Sequence, residues 1–193
     1  GVNKTTEINE TGFFVLPSSL EAYEKKYLEL VKQTQLVILS GSLPPGVPNS
    51  FYAKCINKAN EYGVKTLLDA DRQALSEGIK AIPYAVKPNI NELEALCGCK
   101  LSSTADILNA AQQLINIGIS IVIISLGADG AVVVDKSQAF RVSSWDIQVK
   151  STVGAGDSMV GALAYAIIKN YSLYDIAKIT TAAGTVTASK DGT

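Results

Sequence analysis

Apolar positions along this chain follow two different periods in turn. From residue 18 onward, short apolar runs alternate with stretches whose apolar residues recur every three or four positions. The runs predict buried strands, and the stretches predict helices with one face on a core. Ser18-Ser19-Leu20-Glu21 reads as a capping box opening a helix to about Lys32, followed by a buried strand at Leu36–Leu39. Asn49 is placed as the cap of a helix to about Tyr62, with a strand over Val64–Leu68 and a short helix over Ala74–Ala81. Ala85-Val86-Lys87 reads as a third strand stopped by Pro88, and a helix runs from about Asn91 to Leu96.

Thr104–Ile117 carries apolar residues at Ile107, Leu108, Ala111, Leu114 and Ile115, one helical face, and Ile119–Ser125 is the next strand. The pattern then changes. Ala131–Val134 and Ala139–Val142 flank a polar turn and predict a hairpin, and two closing helices follow over Gly156–Lys169 and Ser172–Ser189. Strands alternating with helices indicate an α/β fold, a mostly parallel sheet covered on both faces with an antiparallel edge added late. Residues 1–193 read as one domain. Gly1–Gly12 has no helix before it and Lys190–Thr193 stops at a turn, so the domain is expected to be incomplete at both ends.

Composition narrows the chemistry. A formal net charge of −1 argues against nucleic acid or an acidic membrane face as the main partner, and no apolar run reaches membrane-spanning length. With no histidine, the chain has no Ser-His-Asp or Cys-His nucleophile and no His-containing metal site. Cys55, Cys97 and Cys99 are an odd number, and Cys97-Gly98-Cys99 is too tight for the usual CxxC ligand spacing. Buried or incidental thiols suit a reducing, cytoplasmic setting.

Carboxylates, lysines, hydroxyls and backbone amides remain. In Ser151-Thr-Val-Gly154-Ala155-Gly156-Asp157-Ser158, two glycines one residue apart precede an apolar helical run. Such a turn presents N–H groups to an anion at a helix N-terminus. Asp157 then sits in the first turn, either accepting a proton from an attacking hydroxyl or simply favouring the helix start. Neither nucleotide fingerprint, a Gly-Lys P-loop or GxGxxG, is present. Lys87-Pro88-Asn89-Ile90-Asn91-Glu92 follows a strand, at the edge where open parallel sheets bind ligands. Asn89 and Glu92 offer oxygens to a hydrated Mg²⁺ and Lys87 could reach a phosphate; the plainer reading is a turn and a helix start. Ser125-Leu-Gly127-Ala-Asp-Gly130 and Gly41-Ser42 end two further strands. Four such turns on one edge outweigh any one of them.

In this order, GSLPPG (41–46), KPNxxE (87–92), SLGxxG (125–130), STVGAGDS (151–158) and AAGT (182–185) resemble the phosphofructokinase B branch of the ribokinase-like sugar kinases. The resemblance covers nearly the whole chain and is strongest to the 1-phosphofructokinase group. It implies the ribokinase-like three-layer fold and an ATP-dependent, Mg²⁺-requiring phosphotransferase acting on a ketose phosphate. Thr6-Glu7-Ile8-Asn9 favours fructose 1-phosphate, converted to fructose 1,6-bisphosphate; tagatose 6-phosphate and fructose 6-phosphate are the alternatives. A non-catalytic nucleotide-binding fragment is the reading of a different class.

Carried over by position, the resemblance makes Asp157 the catalytic base and the amides of Gly154, Ala155 and Gly156 the anion hole. It assigns Asn89 and Glu92 to Mg²⁺ and the nucleotide phosphates, with Lys87 nearby. Ser125, Gly127 and Gly130 line the nucleotide site, the stretch around Ala183 lies near adenine, and Ser42 contacts the sugar phosphate. The family's N-terminal sugar-binding segment and lid strands, through which the full-length protein would dimerise, find no counterpart in these residues.

Overall fold

The computed structural model describes residues 12–191. Thr6-Glu7-Ile8-Asn9 and the expectations about the two ends lie outside them. Among the described residues six strands form one sheet in chain order: β1 (Leu36–Ser40), β2 (Lys65–Asp69), β3 (Ala85–Val86), β4 (Ile121–Ser125), β5 (Ala131–Val134) and β6 (Ala139–Val142). β1 to β4 are parallel, and β4, β5 and β6 pair antiparallel. β3 is short because Pro88 has no N–H to continue the ladder. Pairing resumes in a single bridge between Asn89 and Ser125, which brings the ends of β3 and β4 together.

Among the described residues seven helices accompany this sheet: α1 (Pro17–Val31), α2 (Phe51–Glu61), α3 (Arg72–Lys80), α4 (Ile90–Cys97), α5 (Thr104–Asn116), α6 (Ala155–Ile168) and α7 (Leu173–Ala188). Strands that advance one step at a time through crossovers of one hand keep their helices on one face. Ile56, Leu75, Leu93 and Ile107 from α2 to α5 accordingly share a core with Leu68, Val86, Val122 and Ile124. The alternate strand residues, Leu67, Ala85, Ile121 and Ile123, face Leu163 and Ala164 of α6 and Ile176 of α7. Period-two alternation thus feeds two cores, and the layers are helix, sheet, helix.

Three local expectations are corrected. The Ser18–Glu21 capping box does not form: α1 starts at Pro17, whose missing N–H suits the first helical position, with Leu16 as the cap residue. Ser50, not Asn49, precedes α2, and the Asn49 amide instead donates to the Gln73 side chain on α3. β1 is not buried: it is the edge strand among the described residues and buries only Leu39, with Ile38 46% exposed. Cys55 is buried, whereas Cys97 and Cys99 are exposed; all three are free thiols. No helix among the described residues is long and apolar enough to cross a membrane.

Candidate active site

The carboxyl ends of β1 to β4 carry the polar groups. Beside them lies the turn that opens α6, where Gly154 takes φ +77°, a left-handed conformation that costs other residues strain. Among the described residues no side chain caps α6. The Ala155 N–H donates to the Thr152 carbonyl at 3.3 Å, so of the three expected anion-hole amides it is the one already engaged. The Gly154 and Gly156 N–H groups have no partner among the described residues. Asp157 stands exposed in the first turn of α6, next to these amides.

Lys87 is buried, 5% exposed, and its ammonium is held 3.0 Å from Asp69 Oδ1 at the end of β2. The same Nζ lies 3.7 Å from where a Cβ on Gly156 would sit, so the fixed cation adjoins the α6 turn. Burial pushes the Asp69 carboxyl above its ordinary range, more than the Lys87 charge lowers it; the nearby Asp157 charge pushes the same way. Ser40 Oγ also donates to Asp69, at 3.4 Å. On the next turn Ser42 Oγ donates to Asp71 at 3.1 Å, so the expected sugar-phosphate contact sits at this acidic end of the edge.

Asn89 and Glu92 are tied to each other at the start of α4. Asn89 Oδ1 accepts from the Glu92 N–H at 2.9 Å, and Glu92 Oε2 accepts from the Asn89 N–H at 2.8 Å. The plainer reading of the pair, a helix start, is therefore realised. It does not exclude the other: Glu92 Oε1 has no hydrogen-bond partner among the described residues. Burial raises the Glu92 pKa, while the Asn89 hydrogen bond and Lys87 hold it down. Among the described residues no three His, Cys, Asp or Glu side chains cluster as a closed metal cage. Mg²⁺ keeps several waters and takes one or two carboxylates, so this sparse donor set fits a hydrated ion.

Ser125, Gly127 and Gly130 lie along a cleft of about 960 Å³. Its other walls are Asn89 at the start of α4, Ala155 and Gly156 of α6, and the 144–149 segment with Trp145 and Ile147. Gly127–Asp129 forms a 3₁₀ turn, and Gly130 has φ +87° with a Cβ position 1.9 Å from the Val142 carbonyl oxygen, room that only glycine leaves. The α7 wall consists of Thr181, Gly184, Thr185 and Ala188; Ala183 is half-buried beside them and does not line the cleft. Lys87, Glu92, Asp157 and Ser42 are outside the cleft lining, although Lys87 lies next to Gly156, which does line it. The space is large enough for a nucleotide.

The sequence reading missed Asp69, Asp71 and Thr181. Asp69 had a signal, a carboxylate directly after the strand read over Val64–Leu68, on the same edge as the other turns. Thr181 had none, since nothing in a helical pattern says that one of several threonines faces a cleft.

Comparison with known proteins adds a family and its relatives. The model of the pfkB family carbohydrate kinases matches residues 3–193. The chain is 37% identical over 187 residues to the 1-phosphofructokinase of Escherichia coli (strain K12), covering 97% of this chain and 60% of that protein. It is 35% identical over 188 residues to the ATP-dependent 6-phosphofructokinase isozyme 2 of the same organism, covering 93% and 60%. A crystal structure of phosphofructokinase-2 from Escherichia coli in complex with potassium superposes with a TM-score of 0.90 at 33% identity, over 95% of this chain and 60% of that one. The chain spans about 60% of the length of the curated relatives it matches.

Proposed function

Because the chain belongs to the pfkB family of carbohydrate kinases, we propose that it carries the nucleotide-binding and catalytic part of an ATP-dependent ketose-phosphate kinase. Residues 1–193 act as one domain in this reading. The observation that carries it is the α6 turn: the Asp157 carboxylate, unpaired among the described residues, beside the Gly154 and Gly156 amides and the fixed Lys87 cation. Phosphoryl transfer needs little covalent help from the protein, only positioning and charge. The acceptor hydroxyl oxygen forms a bond to the γ-phosphorus as the bond to the β,γ-bridging oxygen breaks; ADP leaves and the hydroxyl proton passes to Asp157. The α6 amides and Lys87 stabilise negative charge on the transferring group. Asn89 and Glu92 would hold Mg²⁺, which neutralises phosphate charge when bound.

Fructose 1-phosphate is the proposed acceptor, supported by the 37% identity to a 1-phosphofructokinase. Fructose 6-phosphate is the second reading, supported by the 35% identity to a 6-phosphofructokinase. Self-association of the full-length protein as a homodimer belongs to the same proposal. Incubating the full-length protein with Mg-ATP and fructose 1-phosphate, fructose 6-phosphate or tagatose 6-phosphate tests it. ADP and fructose 1,6-bisphosphate should form fastest from the first. Asp157→Asn should lower turnover about 10²–10⁴-fold while ATP affinity changes little. No turnover of any ketose phosphate, or near-normal turnover by Asp157→Asn, refutes the assignment.

A further inference from the structure

Arg72 holds a backbone conformation that its residue type does not favour. As the first residue of α3 it takes φ +47°, in the left-handed region where a residue with a Cβ is strained. Glycine makes the same turn without that strain. Nothing the side chain does inside the fold offsets it. The side chain is 90% exposed, and its ionic contact among the described residues is a long one, Nε to Asp71 Oδ2 at 3.9 Å. A strained residue whose charge points away from the core directs attention to a ligand.

The neighbours of Arg72 give the chemistry of that ligand. The Asp71 oxygen near its Nε is the same Oδ2 that accepts from Ser42 Oγ at 3.1 Å, so one carboxylate joins Arg72 to the turn expected at the sugar phosphate. That turn is held in place. The Gly41 N–H donates to the Asp69 carbonyl at 2.9 Å, and the Tyr52 hydroxyl lies 3.0 and 3.1 Å from the Ser40 and Gly41 carbonyls. Carboxylates gather here: the Asp69 and Asp71 charges add to burial in raising the Glu92 carboxyl. Lys87 does not balance them for an incoming anion, because it is buried, paired with Asp69 and set against the α6 turn. An anion approaching Ser42 needs a second cation, and Arg72 supplies one. With a carboxylate on the Nε side, the outer N–H groups of a guanidinium are left to grip two oxygens of a phosphate together. We propose that Arg72 is a specificity-determining residue that binds the acceptor's own phosphate, the one that is not transferred. Lys87 then serves the transferring group and Arg72 the resident one. This assignment rests on the ketose-phosphate kinase reading given above.

The test is steady-state kinetics of the full-length protein with Mg-ATP and whichever of fructose 1-phosphate and fructose 6-phosphate it turns over faster. Arg72→Gly removes the charge and relieves the left-handed backbone. It should raise KM for the sugar phosphate about 10-fold, leave KM for Mg-ATP within about 2-fold, and change kcat by less than about 3-fold. Its ligand-free melting temperature should be equal to that of wild type or higher, so the lost affinity is not a loss of fold. Arg72→Lys keeps the charge without the fork and should fall between the two. Arg72→Gln keeps a side chain on the same backbone and gives the KM reading if the glycine variant fails to fold. An unchanged KM for the sugar phosphate, an equal rise in both KM values, or a lysine variant no better than glycine overturns the proposal while the kinase reading stands. A wild-type protein that turns over neither ketose phosphate overturns the kinase reading itself, and this inference with it.

Discussion

Replacing Asp69 by Asn leaves the shape of the side chain and deletes the only formal charge within ion-pairing distance of the Lys87 ammonium among the described residues. Lys87 is 5% exposed, so water cannot take over the lost partner. At the observed 3.0 Å and an effective dielectric of about 20, the pair attracts by about 5.5 kcal/mol before desolvation is counted. Breaking such a buried pair from one side costs about 3–5 kcal/mol, because the remaining charge stays buried. For a chain of this size, that is a fall in melting temperature of roughly 6–20 °C. Removing both charges together is close to neutral in comparable cases, so Asp69→Asn with Lys87→Met should recover most of the loss. Thermal unfolding of wild type, the two single variants and the double variant, read by circular dichroism as a double-mutant cycle, measures it. A single variant melting within about 2 °C of wild type, or a double variant no more stable than Asp69→Asn, would show that the ion pair does not hold this end of the sheet.

Glu92→Gln should keep the α4 start, since an amide oxygen still accepts from Asn89, yet shift the Mg²⁺ dependence of activity to higher concentration. The same variant carries a pH signature. Burial holds the Glu92 carboxyl above its ordinary 4.5, so the folded state keeps a proton that the unfolded chain gives up; stability therefore falls as pH rises above 4.5. Melting curves from about pH 4 to 7 should show a shallower decline in Glu92→Gln than in wild type, and parallel profiles would refute the burial argument. Gly130→Ala puts a Cβ 1.9 Å from the Val142 carbonyl oxygen at φ +87°. The conformation alone costs about 1–3 kcal/mol and the backbone clash adds to it, so urea unfolding should show a loss above about 3 kcal/mol. A loss below about 1 kcal/mol would mean that β6 yields freely.

Much of the architecture was legible because its causes are local. The polar turn between Val134 and Ala139 has one economical use, a hairpin, and the structure has it with the expected strand bounds. Runs such as Ile121–Ile124 are apolar on both alternations, which requires cover on both faces, and the two cores supply it. The GAGD turn announced a helix N-terminus because glycines at those positions permit a left-handed cap, and Gly154 adopts one. What failed locally also has local causes that compete: Pro17 took the helix start from Ser18, and Ser50 took it from Asn49, whose amide had a tertiary partner in Gln73.

The site divides along the same line. Residue types and order placed Lys87, Asn89, Ser125 and Asp157 on one sheet edge, since strand ends and the turns after them can be counted along a chain. Distance along the chain says nothing about which strand end meets which. Only the parallel register of β2 and β3, with Leu68 opposite Val86, brings Asp69 within 3.0 Å of Lys87 and turns a free lysine into a fixed cation. Likewise, α7 repeats threonine often enough that any of them could face inward. The packing of that helix against α6, where Gly184 meets Met159, puts Thr181 on the cleft wall and leaves Ala183 off it. Periodicity can determine that a face is buried; what that face meets depends on packing between elements distant in sequence, and only the folded chain decides it.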